Sequence, residues 1–363
     1  MEFRLQSSVI IRGSMKRNKI FFAGLLLVLC ILTSCAKNTQ VSATQKSSAK
    51  DLLRPHRVKV GFSIDTLAME RWQRDVDVFM NKVSELGAEV IVQNAGNKVD
   101  EQIRQIHYLA EKNVDVVVIV PKESDQFTSA VQALKAKNIP VVSYDRLLRN
   151  CPVDLYVTVD CYEVGRLMAS GMLNVTNKRN WYCILGAKED FNMTMLITGL
   201  RQATTGFGIN IDGIFYSENW NYDLSYQHMQ NLLASKHIPE VILCGNDAIA
   251  ASVMQAIREY GVNYHIPICG QDADIAGCQN VLNGNQDFTI YKPITELAAT
   301  AAELAVELAK TKDATVLNGV TETINNGEAD VPVFWLKPAL VDKNNLEDII
   351  INSGFHSRSE IYQ

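Results

Sequence analysis

From Arg57 onward one unit repeats along the sequence: a short run of uninterrupted apolar residues, then a segment with apolar residues at helical spacing. RVKVGFSI opens the series. Met69, Trp72, Val76, Phe79, Met80, Val83 and Leu86 then share one helical face, AEVIVQN follows as a strand, and Asp100 opens another helix. VDVVVIVP, IPVVSYD, DLYVTVD, WYCILGA, DGIFYS, EVILCGND, IPICGQD and DFTIYK continue the pattern. A strand with one wet face alternates apolar and polar residues; these do not, so both their faces are covered, as in a parallel sheet between helices. Helical segments separate most of the strands. The exceptions are the short turn between IPVVSYD and DLYVTVD and the stretch before DFTIYK. About ten such strands exceed one comfortable doubly wound sheet, so two α/β lobes are expected, each a doubly wound parallel sheet. In the tail, VLNGVTETINNG and VPVFWL look like a turn-linked strand pair, followed by polar loops and a short helix.

The chain of 363 residues is long enough for two packed domains, and its net charge of −5 argues against a general nucleic-acid binder. The N-terminus reads differently from the rest. Lys16, Arg17 and Lys19 precede an apolar run, Ile20 to Leu32, too short to span a bilayer stably but suited to a signal-peptide core. The run ends in Leu32-Thr33-Ser34-Cys35, which resembles a bacterial lipobox, in which the cysteine is lipidated and becomes the first mature residue. A short membrane anchor or buried helix fits less well, because basic flank, core length and terminal cysteine agree on export. Residues 1–34 are therefore expected to be a lipoprotein signal peptide, with Met15 an alternative start. Residues 35–56 are expected to be the lipidated Cys35 and a polar tether with a reach of roughly 25 Å as a random coil. That places the protein on the outer face of a cell membrane, lipid-anchored.

The eight cysteines include Cys30 in the leader and Cys35. Cys183, Cys244 and Cys269 sit inside apolar strand-like runs, where cysteine behaves as a small hydrophobe. Cys151 and Cys161 flank one extended strand, too far apart for a disulfide. Free thiols are expected.

Ligands of open parallel α/β sheets bind outside the carboxyl ends of the strands. Those ends carry Asp65, then Glu70, Arg71 and Trp72; Asp145 and Arg146; Asp190 and Asn192; Trp220; Asn246 and Asp247; Asp272; and Lys292. Any one Asp or Asn here could simply cap a helix; the set is what carries weight. Arg71, Arg146 and Lys292 balance Asp145, Asp190 and Asp272. A site this charged yet near neutral suits a neutral ligand with many hydroxyls, each donating to a carboxylate and accepting from a cation. Asn192 and Asn246 add donors and acceptors, and Trp72 can cover the C–H face of a pyranose. Asp145 and Arg146, adjacent and of opposite sign, could pair with each other as well as with such hydroxyls. No G-x-G-x-x-G, Walker A, G-x-S-x-G or H-E-x-x-H motif occurs, so no enzyme, cofactor or metal site is expected. Asp272-Ala-Asp274 lacks the remaining positions of a calcium loop, and Asp274 reads as a helix cap.

ERWQRD (70–75), YDRL (144–147), GNDA (245–248), GQDAD (270–274), YKPIT (291–295) and SGFH (353–356) resemble the D-xylose-binding proteins of bacterial ABC transporters, which are type I periplasmic binding proteins. The resemblance covers about residues 57–357 and is less specific for xylose than for the family. It implies two lobes joined by three hinge crossings: 57–158 with 293–327, and 159–292 with 328–363. It implies as sugar ligands Arg71, Trp72, Asp145, Arg146, Asp190, Asn192, Asn246, Asp272 and Lys292. One departure concerns the family's second stacking tryptophan. In SENWNYDLSYQ, Leu224 falls where that ring belongs, so Trp220 or Phe191 takes its place, or one sugar face is less covered. The resemblance implies delivery of a monosaccharide to an ABC permease. The alternative partner is a membrane histidine kinase or chemoreceptor, to which a sensory lipoprotein would present xylose. A sugar-responsive repressor would need a basic DNA-binding headpiece in place of the leader.

Overall fold

The structure, a computed structural model, describes residues 56–362. The expected leader (1–34), the lipidation site Cys35 and the tether up to residue 55 lie outside the described residues. The first lobe begins with β1 (Lys59–Ile64), α1 (Glu70–Glu85), β2 (Glu89–Asn94), α2 (Val99–Glu111), β3 (Val116–Val120), α3 (Thr128–Lys135), β4 (Val141–Tyr144) and β5 (Leu155–Val159). The second continues with α4 (Cys161–Val175), β6 (Asn180–Leu185), α5 (Phe191–Thr204), β7 (Asn210–Tyr216), α6 (Tyr222–Ala234), β8 (Val241–Cys244), α7 (Asp247–Tyr260), β9 (Ile268–Gln271), α8 (Ile275–Asn283) and β10 (Phe288–Tyr291). The chain then returns to the first lobe for α9 (Ile294–Thr311), β11 (Glu322–Asn325) and β12 (Asp330–Leu336), and ends in the second with β13 (Ala339–Val341) and α10 (Arg358–Ile361).

The first sheet runs β11-β12-β5-β4-β3-β1-β2 and the second β13-β10-β9-β8-β6-β7. Both are parallel except at one edge, where β11 and β13 are antiparallel to their neighbours. The continuous apolar runs have the expected consequence. All five residues of β3 and of β5 are buried, because helices cover both faces of the sheet. On α1, Trp72, Val76, Phe79 and Val83 are buried against the sheet and α9, while Met80 and Leu86 turn outward.

Two expectations need correction. The third crossing does not fall at 327–328: β12 pairs in parallel with β5, Val333 against Tyr156 through Leu336 against Val159. The reason is that Val331, Val333 and Leu336 are buried there, so the whole strand stays with the first sheet and the chain crosses after Leu336. Second, the stretch before DFTIYK contains α8. Its buried residues are only Gly277, Cys278 and Val281, too few to mark a helical period. Asp274 takes the N-cap position of that helix, but its side chain makes no capping hydrogen bond there.

α4 and α5 touch backbone to backbone. A Cβ at Gly165 would lie 1.9 Å from the Leu196 carbonyl oxygen, and one at Gly199 1.9 Å from that of Tyr162. No larger side chain fits at either crossing point, and the contact fixes the start of α5. Cys151, Cys161, Cys183, Cys244, Cys269 and Cys278 are all buried and free. Among the described residues no helix is long and apolar enough to cross a membrane.

Candidate functional site

The strand ends of both lobes open onto one cleft. Arg71, Trp72, Asp145, Arg146, Asp190, Asn192, Trp220, Asn246, Asp272 and Lys292, the ten residues singled out in the sequence, all line one space, with Met69, Met193 and Gln271. From the first lobe, Arg71 and Trp72 lie in the opening turn of α1, and Asp145 and Arg146 follow β4. Asp145 has a left-handed backbone (φ 59°), unfavourable for a side chain with a Cβ unless the surroundings hold it. Three donors hold it: Tyr156 Oη and Thr158 Oγ1 at 2.8 Å each, and Asn192 Nδ2 at 3.2 Å, all to the Asp145 carbonyl.

This turn sends two adjacent side chains to different partners. Asp145 accepts from Arg71 Nη2. Arg146 places Nη1 2.6 Å from Asp65 Oδ2 and Nε 2.9 Å from Asp190 Oδ2. The expected contact between Asp145 and Arg146 is thereby replaced by separate ion pairs. The Arg71 and Arg146 guanidinium carbons lie 4.2 and 5.3 Å from the centroid of the buried Trp72 ring, within cation–π range.

In the second lobe, capping and lining the cleft are done by the same residues. Asp190 Oδ1 accepts from Asn192 N at 3.0 Å to cap α5, leaving Oδ2 for Arg146. Asn246 Oδ1 accepts from Ile249 N at 2.8 Å to cap α7, leaving its amide nitrogen for the cleft. Asp272 (φ 93°) sets Oδ1 3.1 Å from Lys292 Nζ and 3.9 Å from Arg71 Nη1. Its neighbour in sequence to Asn246, Asp247, is a brace instead: it accepts from Thr289 Oγ1, Gln286 Nε2 and Asp274 N and is packed under Gly270 and Gly277.

Trp220 ends a short 3-10 turn, left-handed together with Asn219, and its ring lies flat enough on Gly186 that a Cβ there would come within 2.3 Å of it. Phe191 faces elsewhere: it packs beside Leu147, Tyr156, Val331 and Val333 with the Arg149 guanidinium 5.0 Å from its ring centroid. Of the two rings, Trp220 is the one on the cleft.

Asp65, noted at a strand end but left out of the ligand set, is 2 % exposed and anchors Arg146. Two further residues escaped notice. Asp75 is fully buried beneath Arg71, its Oδ2 3.5 Å from Nε; the i,i+4 spacing from Arg71 was the available signal. Gln271 precedes Asp272 and donates through Nε2 to the Gly245 carbonyl. The expected balance of three cations and three carboxylates becomes three and five. Burial drives the charges in opposite directions from their partners. It pushes the Asp75 carboxyl up to about 7 against the pull of Arg71. It also raises Asp190, against the pull of Arg146. At Asp145 burial is outweighed by Arg71, Lys292 and Arg146, which hold the carboxyl below its usual range. At Lys292 burial is outweighed, chiefly by Asp272, and the ammonium is held above its usual range. Nε1 of Trp72, Nε1 of Trp220 and Oε1 of Gln271 are buried without a hydrogen-bond partner in the protein. Such atoms also occur away from the cleft, at Gln105, Ser124 and Gln286, so these three are donors and an acceptor open to a ligand rather than a sign of one.

Comparison with known proteins follows the same line. The periplasmic binding protein domain profile matches residues 60–313. The D-xylose-binding periplasmic protein of Haemophilus influenzae is 37% identical over 310 residues, covering 84% of this chain and 92% of its own length. That of Escherichia coli K12 is 36% identical over 309 residues, with the same shares of 84% and 92%. Among solved structures, an ABC transporter solute binding protein from Clostridium phytofermentans with bound β-D-glucose aligns with a TM-score of 0.75 at 25% identity. The alignment covers 84% of this chain and 99% of that one.

Proposed function

We propose that this chain, which belongs to the periplasmic binding protein family, captures a free monosaccharide, D-xylose before others, between its two lobes and delivers it to an ABC permease. The observation that carries this is the composition of the cleft: Arg71, Arg146 and Lys292 set among carboxylates, two indoles from opposite lobes, and buried polar atoms without partners. A neutral polyol answers all of it. Each hydroxyl donates to a carboxylate and accepts from a cation, and such charge-assisted hydrogen bonds are the strong ones. Trp72 from the first lobe and Trp220 from the second cover the two C–H faces of one sugar ring, with Trp220 in the second stacking position. The aspartates of the cleft repel phosphorylated sugars. Support for xylose comes from the names of the relatives at 36% and 37% identity.

The lobes in this reading are 57–158 with 293–336, and 159–292 with 337–362. Sugar touches both only when they close, so binding shifts the protein toward the closed arrangement. Cys35 carries the lipid and residues 36–56 tether the lobes to the outer face of the membrane. The protein binds and releases; it performs no reaction on the sugar.

Calorimetry with a panel of pentoses and hexoses tests this. D-xylose should bind with a dissociation constant on the order of micromolar, about −8 kcal/mol, and xylose phosphate far more weakly. Absence of binding to any free sugar, or a preference for the phosphate, overturns the proposal.

A further inference from the structure

The SGFH motif at 353–356 lies outside the cleft lining, yet its last two side chains brace both backbone neighbours of a cleft ion pair. His356 is buried and its Nε2 donates to the Ala273 carbonyl at 2.8 Å. Ala273 (φ 55°) follows Asp272 (φ 93°), so two consecutive left-handed residues aim the Asp272 carboxylate, a conformation that persists only where its surroundings hold it. Phe355 meets the ring of Tyr291, the residue before Lys292, edge to face at 4.8 Å. Asp272 and Lys292 are themselves 3.1 Å apart.

The same dipeptide is gripped from the other lobe. Arg74 lies one turn beyond Arg71 on α1, with its guanidinium carbon 4.9 Å from the Phe355 ring centroid and its Nη1 donating to the Phe355 carbonyl at 3.2 Å.

We propose that Phe355 and His356 are positioning residues for the sugar subsite formed by Asp272 and Lys292, and that Arg74 clamps them from the opposite lobe when the cleft closes. This rests on the sugar-capture reading above. α1 and the tail belong to different lobes, so opening the cleft separates Arg74 from Phe355. The clamp therefore favours the closed state without touching sugar, and its loss speeds sugar release more than it slows capture.

The test uses the full chain, with D-xylose titrated calorimetrically and its release followed after rapid dilution, alongside melting of the sugar-free protein. Arg74→Met keeps the aliphatic stem and should weaken xylose binding about tenfold, the effect of one hydrogen bond and one half-buried cation–π contact. The loss should lie in faster release, with the sugar-free melting temperature unchanged. In a Phe355→Leu background the effect of Arg74→Met should shrink, because the two residues act as a pair. His356→Ala should weaken binding as well; if that buried variant fails to fold, the Arg74 and Phe355 pair decides alone. Arg74→Met that binds and releases xylose like the parent overturns the clamp and leaves the capture reading standing. A parent that binds no monosaccharide overturns both.

Discussion

Asp145→Asn preserves side-chain shape and removes one charge from the cleft. Arg71, whose side chain is 8% exposed, faces Asp145, then Asp75 at 3.5 Å and Asp272 at 3.9 Å. Stranding a buried cation by removing its partner costs about 3–5 kcal/mol. Here a substitute is at hand. Asp75 sits at about 7, raised by burial and further by the charge of Asp145, and lowered by Arg71. Without the Asp145 charge, the Asp75 pKa falls and its carboxylate neutralises Arg71. At about pH 8 the variant should therefore melt within a few degrees of the parent, and at a pH below the lowered Asp75 pKa, where that carboxyl is protonated, well below it. The sugar finds no such substitute, because Asp75 lies beneath Arg71 and outside the cleft lining. Losing one charge-assisted hydrogen bond should cost about 1.5–3 kcal/mol, roughly a tenfold to hundredfold loss of xylose affinity. Melting of the sugar-free variant at both pH values, with calorimetry at the higher, measures both effects. Equal destabilisation at the two pH values refutes the takeover by Asp75. Early melting with undiminished affinity makes Asp145 a structural ion-pair partner and removes it from the sugar site.

Asp75 itself has the opposite sign to an ordinary paired carboxylate. Its folded pKa lies above the usual 3.8, so its contribution is full at low pH and stability is lost as pH rises toward about 7. In Asp75→Asn that loss is absent, and the melting temperature of variant minus parent should grow over this window; a constant difference contradicts the assignment. Trp220→Ala should weaken xylose binding about tenfold, from lost stacking and burial, and Phe191→Ala should leave affinity near that of the parent. The reverse pattern in calorimetry moves the second stacking ring to Phe191. Cys35→Ala should abolish labelling by radiolabelled palmitate and release the protein from the membrane fraction; a labelled, membrane-bound variant refutes the lipid anchor.

The alternation of apolar runs and helical faces was enough to anticipate two parallel sheets, since only covered strands dispense with polar residues. The carboxyl ends of the strands were enough to find ten residues of the cleft, because parallel topology carries every such end to the same side. What stayed hidden depends on backbone dihedrals and on long-range pairing. Nothing in YDRL announces that Asp145 is left-handed, and that one angle sends it to Arg71 and its neighbour to Asp65 and Asp190. The left-handed pair Asn219-Trp220 likewise lets an aromatic four residues ahead of Leu224 reach the cleft. Asp75 reads in sequence as one more polar residue of an amphipathic helix; only its burial shows it to be part of the electrostatics. The third crossing was misplaced because a hairpin strand carries no mark of which sheet it will join.

The six buried thiols separate two periods in the life of the chain. The thiolate is the reactive form of cysteine. In the folded protein burial pushes Cys151, Cys161 and Cys183 up to about 12, and raises Cys244, Cys269 and Cys278 as well, so next to no thiolate exists at neutral pH. An unfolded chain has thiols of ordinary acidity, near 8.5, all of them accessible. Wrong disulfides and adducts can then form only while the chain is still unfolded, and their yield is a race between oxidant and collapse. Oxidative damage to this protein should accordingly scale with how long folding takes, and hardly at all with how long the folded molecule is exposed afterwards.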